Sequence, residues 1–239
     1  MKTKHLALLG LVAAVACAPA AFANEMNYAF SFNGNGVTAS GTFQVGSQSA
    51  NSATPPGYEI TGISGTFSDA NVGVSGAING LYTPVSYVSN TLANPGVART
   101  AGGLSYDDLF YPGGNSPAVC LELVNGVPVV TYPFSGGYFD IFGVAFNVAG
   151  GYTGAFWSNG NVGGGPIVYA AGLADANGLV DNPNAGPDSG VPPGRFGSFT
   201  VRLVPVPEPN SLPLFAIGLF GLVALYTRKR KGARLFRSI

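Results

Sequence analysis

The sequence predicts an all-β protein, an antiparallel β-sandwich or jelly-roll-like body, and three observations carry that expectation. Apolar and polar residues alternate in short runs, as in the segment from Asn27 to Phe32. No stretch of the body keeps a 3.6-residue apolar period for three turns. The runs are separated by turn formers, with 36 glycines and 18 prolines among 239 residues. That Gly/Pro content approaches the level of disordered chains. A 46% hydrophobic and 12% aromatic content nevertheless supplies a core. Short strands joined by Gly/Pro/Asn turns satisfy both facts.

The elements follow in order. Met1 to Ala23 has Lys2 and Lys4, an apolar run from Leu6 to Cys17, and the small-residue site Ala21-Phe22-Ala23. This is the pattern of a secretory signal helix cleaved after Ala23, so residues 1–23 are set apart from the body. Cleavage before Cys17 would need a large aliphatic three residues earlier, where Ala14 stands. The body is expected over residues 24–204. Tyr28, Phe30 and Phe32 share one face of a first strand, Asn33-Gly34-Asn35-Gly36 makes a turn, and Val37 to Val45 returns as its hairpin partner.

Tyr58 to Phe67 is the next strand, and its apolar phase slips at Gly62, which predicts a bulge. Val72 to Ile78 alternates again. Val119 to Val124 places Val119, Leu121 and Leu123 on one face and Cys120, Glu122 and Val124 on the other. Tyr138 to Val148, Pro166 to Ala171 and Phe196 to Val204 supply further strands. The polar, Gly/Pro-rich stretch from Asp175 to Gly194 reads as one long surface loop.

The zero formal net charge hides a segregation. All four lysines lie in the two tails. Between Asn24 and Asn210 three arginines (Arg99, Arg195, Arg202) face eleven acids, a net charge of −8. Nucleic acid is therefore excluded as a partner, since its binding needs Lys and Arg to neutralise phosphates. Removal of the signal also removes His5, the sole histidine, and one of two cysteines. The exported chain then has no internal disulfide, no Ser-His-Asp or Cys-His nucleophile and no histidine-ligated metal. No cofactor is expected.

The tail, 205–239, opens with Val206-Pro207-Glu208-Pro209, an extended segment because each proline fixes φ and disfavours helix before it. A transmembrane helix is predicted over about 210–227, capped by Asn210 or Ser211, and Pro213 fits its first turn. Its span of roughly 27 Å is near the lower limit for a bilayer. Arg228, Lys229, Arg230 and Lys231 then act as a stop-transfer cluster on the cytoplasmic side. A plain C-terminal anchor would have the same helix and cations.

The order of a Val-Pro-Glu-Pro head, a short apolar helix and a basic end, behind a signal peptide, resembles the PEP-CTERM sorting signal. The same tail also goes by the name of the ice-binding protein C-terminal domain, a label of the tail and not of a body activity. The resemblance implies recognition by exosortase, a membrane-embedded transpeptidase-like enzyme of Gram-negative bacteria that make exopolysaccharide. It assigns Pro207, Glu208 and Pro209 to recognition and Arg228 to Lys231 to the stop. Gly232 to Ile239 extends beyond the usual basic end. Ile60 to Phe67 and Tyr106 to Pro112 are similar to segments of uncharacterised members of that set, with no activity attached.

Candidate sites in the body are few. Adjacent Asp107 and Asp108 would point to opposite faces of a strand and could not act as a glycosidase couple, so they read as solvated turn or edge residues. A hydrolase would need separate carboxylates such as Glu59, Glu122 or Asp140, whose spacing shows no convergence. Asp175, Asn177 and Asp181 surround a glycine in a fragment of a calcium loop, but a plain Asn/Asp turn has the same composition. Tyr152, Phe156 and Trp157, in a segment that also holds Tyr138, Phe139, Phe142 and Phe146, form either a glycan-stacking platform or core. Cys120 lacks a base and reads as a small buried hydrophobe.

The sequence reading is an exported, non-enzymatic cell-surface protein, structural or adhesive in the extracellular matrix. It is made as an inner-membrane-anchored precursor and sorted by its tail. An exopolysaccharide-binding module is the alternative, and a carboxylate-only glycoside hydrolase the third reading. With one thiol left after export, the monomer should run identically on reducing and non-reducing gels. A mobility difference in the monomer band would contradict the assignment of residues 1–23 as a removed signal.

Overall fold

A computed structural model describes residues 25–49, 54–83, 97–125, 127–132, 135–160, 166–181 and 196–205, with 120–124 and 127–132 given by backbone alone. The signal helix, the transmembrane helix and the basic end all fall outside these residues. Among the described residues there are fourteen strands and no helix. The first four form a meander: β1 (Met26–Gly34), β2 (Val37–Gln48), β3 (Tyr58–Asp69) and β4 (Val74–Leu81). Three short strands follow, β5 (Ala98–Arg99), β6 (Ser105–Tyr106) and β7 (Leu109–Phe110), and then the hairpin β8 (Cys120–Val124) and β9 (Val127–Tyr132). A second meander comprises β10 (Val144–Val148), β11 (Tyr152–Ser158), β12 (Tyr169–Asp175) and β13 (Gly178–Asp181). The last strand is β14 (Phe196–Val204).

The strands pair antiparallel, as their alternation predicts. The expected turn at Asn35-Gly36 joins β1 to β2, and Gly36 takes the positive φ (79°) that such a turn requires. The bulge is also where the phase slip put it: Gln44 pairs Gly62 while Val45 pairs Ile60, which leaves Thr61 as the extra residue on β3.

A sandwich of two separate sheets is not what forms. β14, β1, β2, β3 and β4 lie side by side, and β10, β11 and β12 do the same. The two groups are joined by short pairings at both margins. Tyr169 and Ala170 pair with Gly197 and Phe196 on one side. On the other, Phe146 and Val148 pair with Leu81 and Ile78 across an irregular register. With β11 paired to β12, the hydrogen-bonded ring is complete. The body is therefore a closed eight-strand barrel with β13 added beside β12, and closure leaves β1 to β4 without free edges.

Other boundaries also differ from expectation. Residues 138–143 form bends without regular pairing, and the strand predicted from Tyr138 begins only at Val144. The strand predicted at Pro166 starts at Tyr169 and runs to Asp175. The long loop predicted from Asp175 contains β13, which folds back on β12.

The core lies between the two walls. Phe30 and Phe32 from β1, Phe43 from β2, Phe67 from β3 and Phe199 from β14 face Phe146 and Phe156 from β10 and β11. Phe156 is fully buried and its centroid lies 4.7–6.4 Å from those of Phe30, Phe32, Phe67, Phe146 and Phe199. Gly154, opposite Phe146 across the β10–β11 pair, leaves room for the Phe146 ring, which an added Cβ would strike. A second cluster, of Ala98, Leu104, Tyr106, Ala145, Ala155, Trp157, Ala170 and Ala174, covers the outer side of β10–β12. β11 and β12 are accordingly buried on both faces.

Phe156→Ala should lower the unfolding free energy by about 3–5 kcal/mol, because it empties the point where both walls meet. Urea titration of the exported protein measures it, and a loss below about 1 kcal/mol would show that the walls hold without this ring.

Candidate functional site

The first group of chemistry-bearing side chains sits where Leu104–Tyr111 passes against residues 138–145. The amides of Asp107 and Asp108 both donate to the Gly143 carbonyl, at 3.1 and 2.9 Å. Asp108 has a positive φ (56°), and its backbone carbonyl accepts from the Ile60 amide at 2.8 Å. Its Oδ1 accepts from the Ala145 amide at 3.1 Å. Gly143, at φ +67°, can only be glycine, since a Cβ would run into the Phe156 carbonyl.

This geometry sets Asp107 and Asp108 in the link between β6 and β7, as a turn reading expects, but ties their carboxyls to backbone amides in place of solvent, and it unites two residues that lie far apart in the chain. The Asp107 and Asp140 carboxyls hydrogen-bond to one another. Asp140 is 2% exposed. Its Oδ1 accepts from the amides of Phe142 (2.9 Å) and Gly143 (3.2 Å), and its Oδ2 takes a long contact from Tyr111 Oη at 3.4 Å. Asp107 Oδ1 accepts from the Leu109 amide at 3.2 Å.

Two carboxylates in contact cannot both ionise in a buried site. Burial first, then the Asp140 carboxyl, holds Asp107 well above the ordinary carboxylate range, and Asp140 is raised by burial as well. The Asp107 hydrogen bond and the Gly143 and Phe142 amides, which favour the Asp140 carboxylate, limit its rise. Burial lifts Asp108 to about 7. Beside it, the Tyr106 hydroxyl is buried without a hydrogen-bond partner.

Chemically this group is a latch. Hydrogen-bonded carboxyls are too close to flank a sugar, since retaining and inverting pairs stand roughly 5–9.5 Å apart. Each carboxylate is also already occupied by backbone amides. Glu59 is exposed on β3 and pairs with Leu109 across the β3–β7 bridge, while the side chain of Glu122 lies outside the described residues.

A second group faces solvent on the outer side of β14-β1-β2-β3-β4. Strand register sets its side chains in rows. Ser198, Asn33, Thr38, Ser68 and Ser75 form one. Thr200, Ser31, Ser40, Thr66 and Ala77 form the next. Arg202, Ala29, Thr42, Ser64 and Asn79 form the third. Ser40 and Thr66 hydroxyls lie 3.5 Å apart, and those of Thr42 and Ser64 3.4 Å. A cavity of about 330 Å³ opens over the first two rows.

The aromatic platform does not form. Phe156 is core, and Trp157 is 4% exposed with its indole N–H donating to Asn159 Oδ1 at 3.1 Å. Tyr152 is half-buried against the core. Asp175 Oδ1 accepts from the amides of Asn177 (2.7 Å) and Gly178 (3.1 Å), an Asx turn closing the β12–β13 hairpin. Asp181 is buried opposite Leu173. Among the described residues no three His, Cys, Asp or Glu are arranged to hold a metal ion. Ala21, Ala23, Val206 to Pro209, Arg228 to Lys231 and the Cys120 side chain lie outside the described residues.

With the geometry in place, known proteins add one finding about the tail. Residues 205–231 match the family model described as the PEP-CTERM protein-sorting motif. The chain carries a PEP-CTERM sorting motif. The match begins directly after β14 ends at Val204 and stops at Lys231, so Gly232 to Ile239 lies beyond the motif. No curated protein and no solved structure matches the chain.

The latch predicts a pH dependence. Carboxyls with raised folded pKa values bind more protons in the native than in the unfolded state between about pH 4 and 7. Stability is therefore full below about pH 4 and falls as pH rises through 7. A loss on the order of 2 kcal/mol, or several degrees in melting temperature, is expected between pH 4.5 and 7.5. Asp107→Asn, which keeps a donor toward Asp140, should flatten this slope. A melting temperature that rises over the window would reject the latch.

Proposed function

We propose that this chain is an exported cell-surface protein whose PEP-CTERM motif is read and removed by an exosortase-type enzyme. The match at residues 205–231 carries the reading. The Lys2/Lys4 charge, the apolar run and the Ala21-Phe22-Ala23 site support export through a cleaved signal. Arg228 to Lys231 hold the precursor in the inner membrane with its acidic body outside. The described body acts as a structural or adhesive module of the extracellular matrix and not as an enzyme. Its buried carboxyls are committed to backbone amides, and its aromatics to the core.

A passive anchor would need the apolar run and the cations but not Glu208. A processing enzyme needs its recognition element extended, accessible and at fixed depth, which Pro207 and Pro209, the short span and the basic cluster supply. Mature protein from the native host should therefore lack everything from about Pro209 onward, as read by intact mass. Glu208→Ala should accumulate a longer species in the inner membrane. Mature chains that still end at Ile239 in an exosortase-positive host would reduce the tail to an anchor.

A further inference from the structure

We infer that the outer face of β14-β1-β2-β3-β4 is a binding surface for an uncharged, polyhydroxylated polymer, a neutral polysaccharide chain laid along its hydroxyl rows. The inference deepens the matrix role proposed above and rests on that reading for where the ligand is met.

The two outer faces of the barrel have opposite fates. The β10–β12 face is apolar and covered by Leu104, Tyr106 and their neighbours. The β14–β4 face is open, and every residue of its first row carries a hydroxyl or amide, as do four of five in the second and three of five in the third. With strands about 4.8 Å apart and alternate residues about 6.7 Å apart, the three rows cover roughly 19 by 13 Å. A chain lying along a row meets a polar side chain about every 4.8 Å. Each hydroxyl offers one donor and two acceptor sites, the same dual character as a sugar hydroxyl. The Ser40–Thr66 and Thr42–Ser64 contacts are long, so this capacity is not consumed within the sheet. The 330 Å³ recess over Ser31, Asn33, Thr38, Ser40 and Thr66 gives the polymer a seat.

Charge decides among occupants. No residue lining the recess is charged, and the three rows hold a single ion, Arg202, at their margin. The chain from Asn24 to Asn210 is otherwise acidic, so a polyanion is repelled at long range and finds no cation in the recess. A second copy is disfavoured because the only apolar side chains of the three rows are Ala29 and Ala77, too little area for a dimer core, and barrel closure leaves β1–β3 no free edge for strand addition. An uncharged hydroxylated chain meets neither objection.

The test uses the exported protein recovered from the cell surface, run in native gels cast with dextran, laminarin, hydroxyethylcellulose or, as the polyanion, alginate. At least one neutral polymer should retard the protein and alginate should not. Replacing Thr38, Ser40 and Thr66 together by Val removes three hydroxyls at positions where β-branched side chains suit a strand, and should cut the retardation at least about fivefold. Thr66→Val alone should give a smaller loss, which covers the case of a poorly folded triple variant. Thr61→Val, exposed on β3 outside the rows, should behave as wild type. No retardation by any of the three neutral polymers overturns the inference, as does wild-type retardation of both Val variants or stronger retardation in alginate. Tail processing is read by mass, so failure of the sorting proposal leaves this result distinguishable.

Discussion

The fold depends on the contact of one ring, Phe156, with phenylalanines from four other strands. Phe30 and Phe32 of β1, Phe67 of β3 and Phe199 of β14 approach it from one wall, and Phe146 of β10 from its own. The tilted and edge-on ring geometries are those aromatic quadrupoles favour over face-to-face stacking. A ring layer of this thickness fixes the separation of the walls. That separation can be held at both margins only by short pairings, which is why the β4–β10 and β12–β14 junctions are brief and the long ladders lie within each wall.

The carboxyl latch depends on the same centre. Gly143 takes a positive φ beside the Phe156 carbonyl, where a side chain would have no room, so only glycine fits. The Gly143 carbonyl then receives the amides of Asp107 and Asp108, and its own amide binds Asp140. Two acids thus meet because the backbone around the core places them, with a shared proton in place of a cation. The arrangement gives up part of its stability at neutral pH in exchange for tying together segments that carry little regular structure of their own.

How much of this was legible follows from the range of each cause. The β1–β2 hairpin, the Gly62 slip and the exact bounds of β14 are set by residues a few positions apart, and alternation with turn chemistry exposes them. Barrel closure was not legible, because the pairings that decide it join Tyr169 to Gly197 and Ile78 to Val148, and alternation is identical in an open and a closed sheet. The Asp107–Asp140 contact was hidden for the same reason. A turn reading suited Asp107 and Asp108, and Asp108 takes a left-handed conformation, but the solvation that reading implies does not form because both carboxyls accept from backbone amides. Asp140 stops the predicted Tyr138 strand by binding the next amides with its own side chain, a local competition that composition does not reveal. The aromatic segment was ambiguous because a platform and a core use the same residues. The sorting tail was legible because its information is linear: order, spacing and charge in one short stretch.

The hydroxyl rows follow from the same division of labour between faces. An antiparallel wall with its inner side filled by phenylalanine leaves every second residue to solvent, and any polar side chain would serve solubility there. Charged residues are the usual choice for such positions, and they also guard against unwanted association. Here the ring is closed, so β1, β2 and β3 present no edges that need charged guards, and the acids are placed elsewhere. What remains is a face almost without ions on an otherwise acidic chain. Solubility alone does not select short hydroxyls over the longer charged residues. Close approach of an uncharged hydroxylated surface does, because Ser and Thr present donors and acceptors near the sheet with little side-chain entropy to lose.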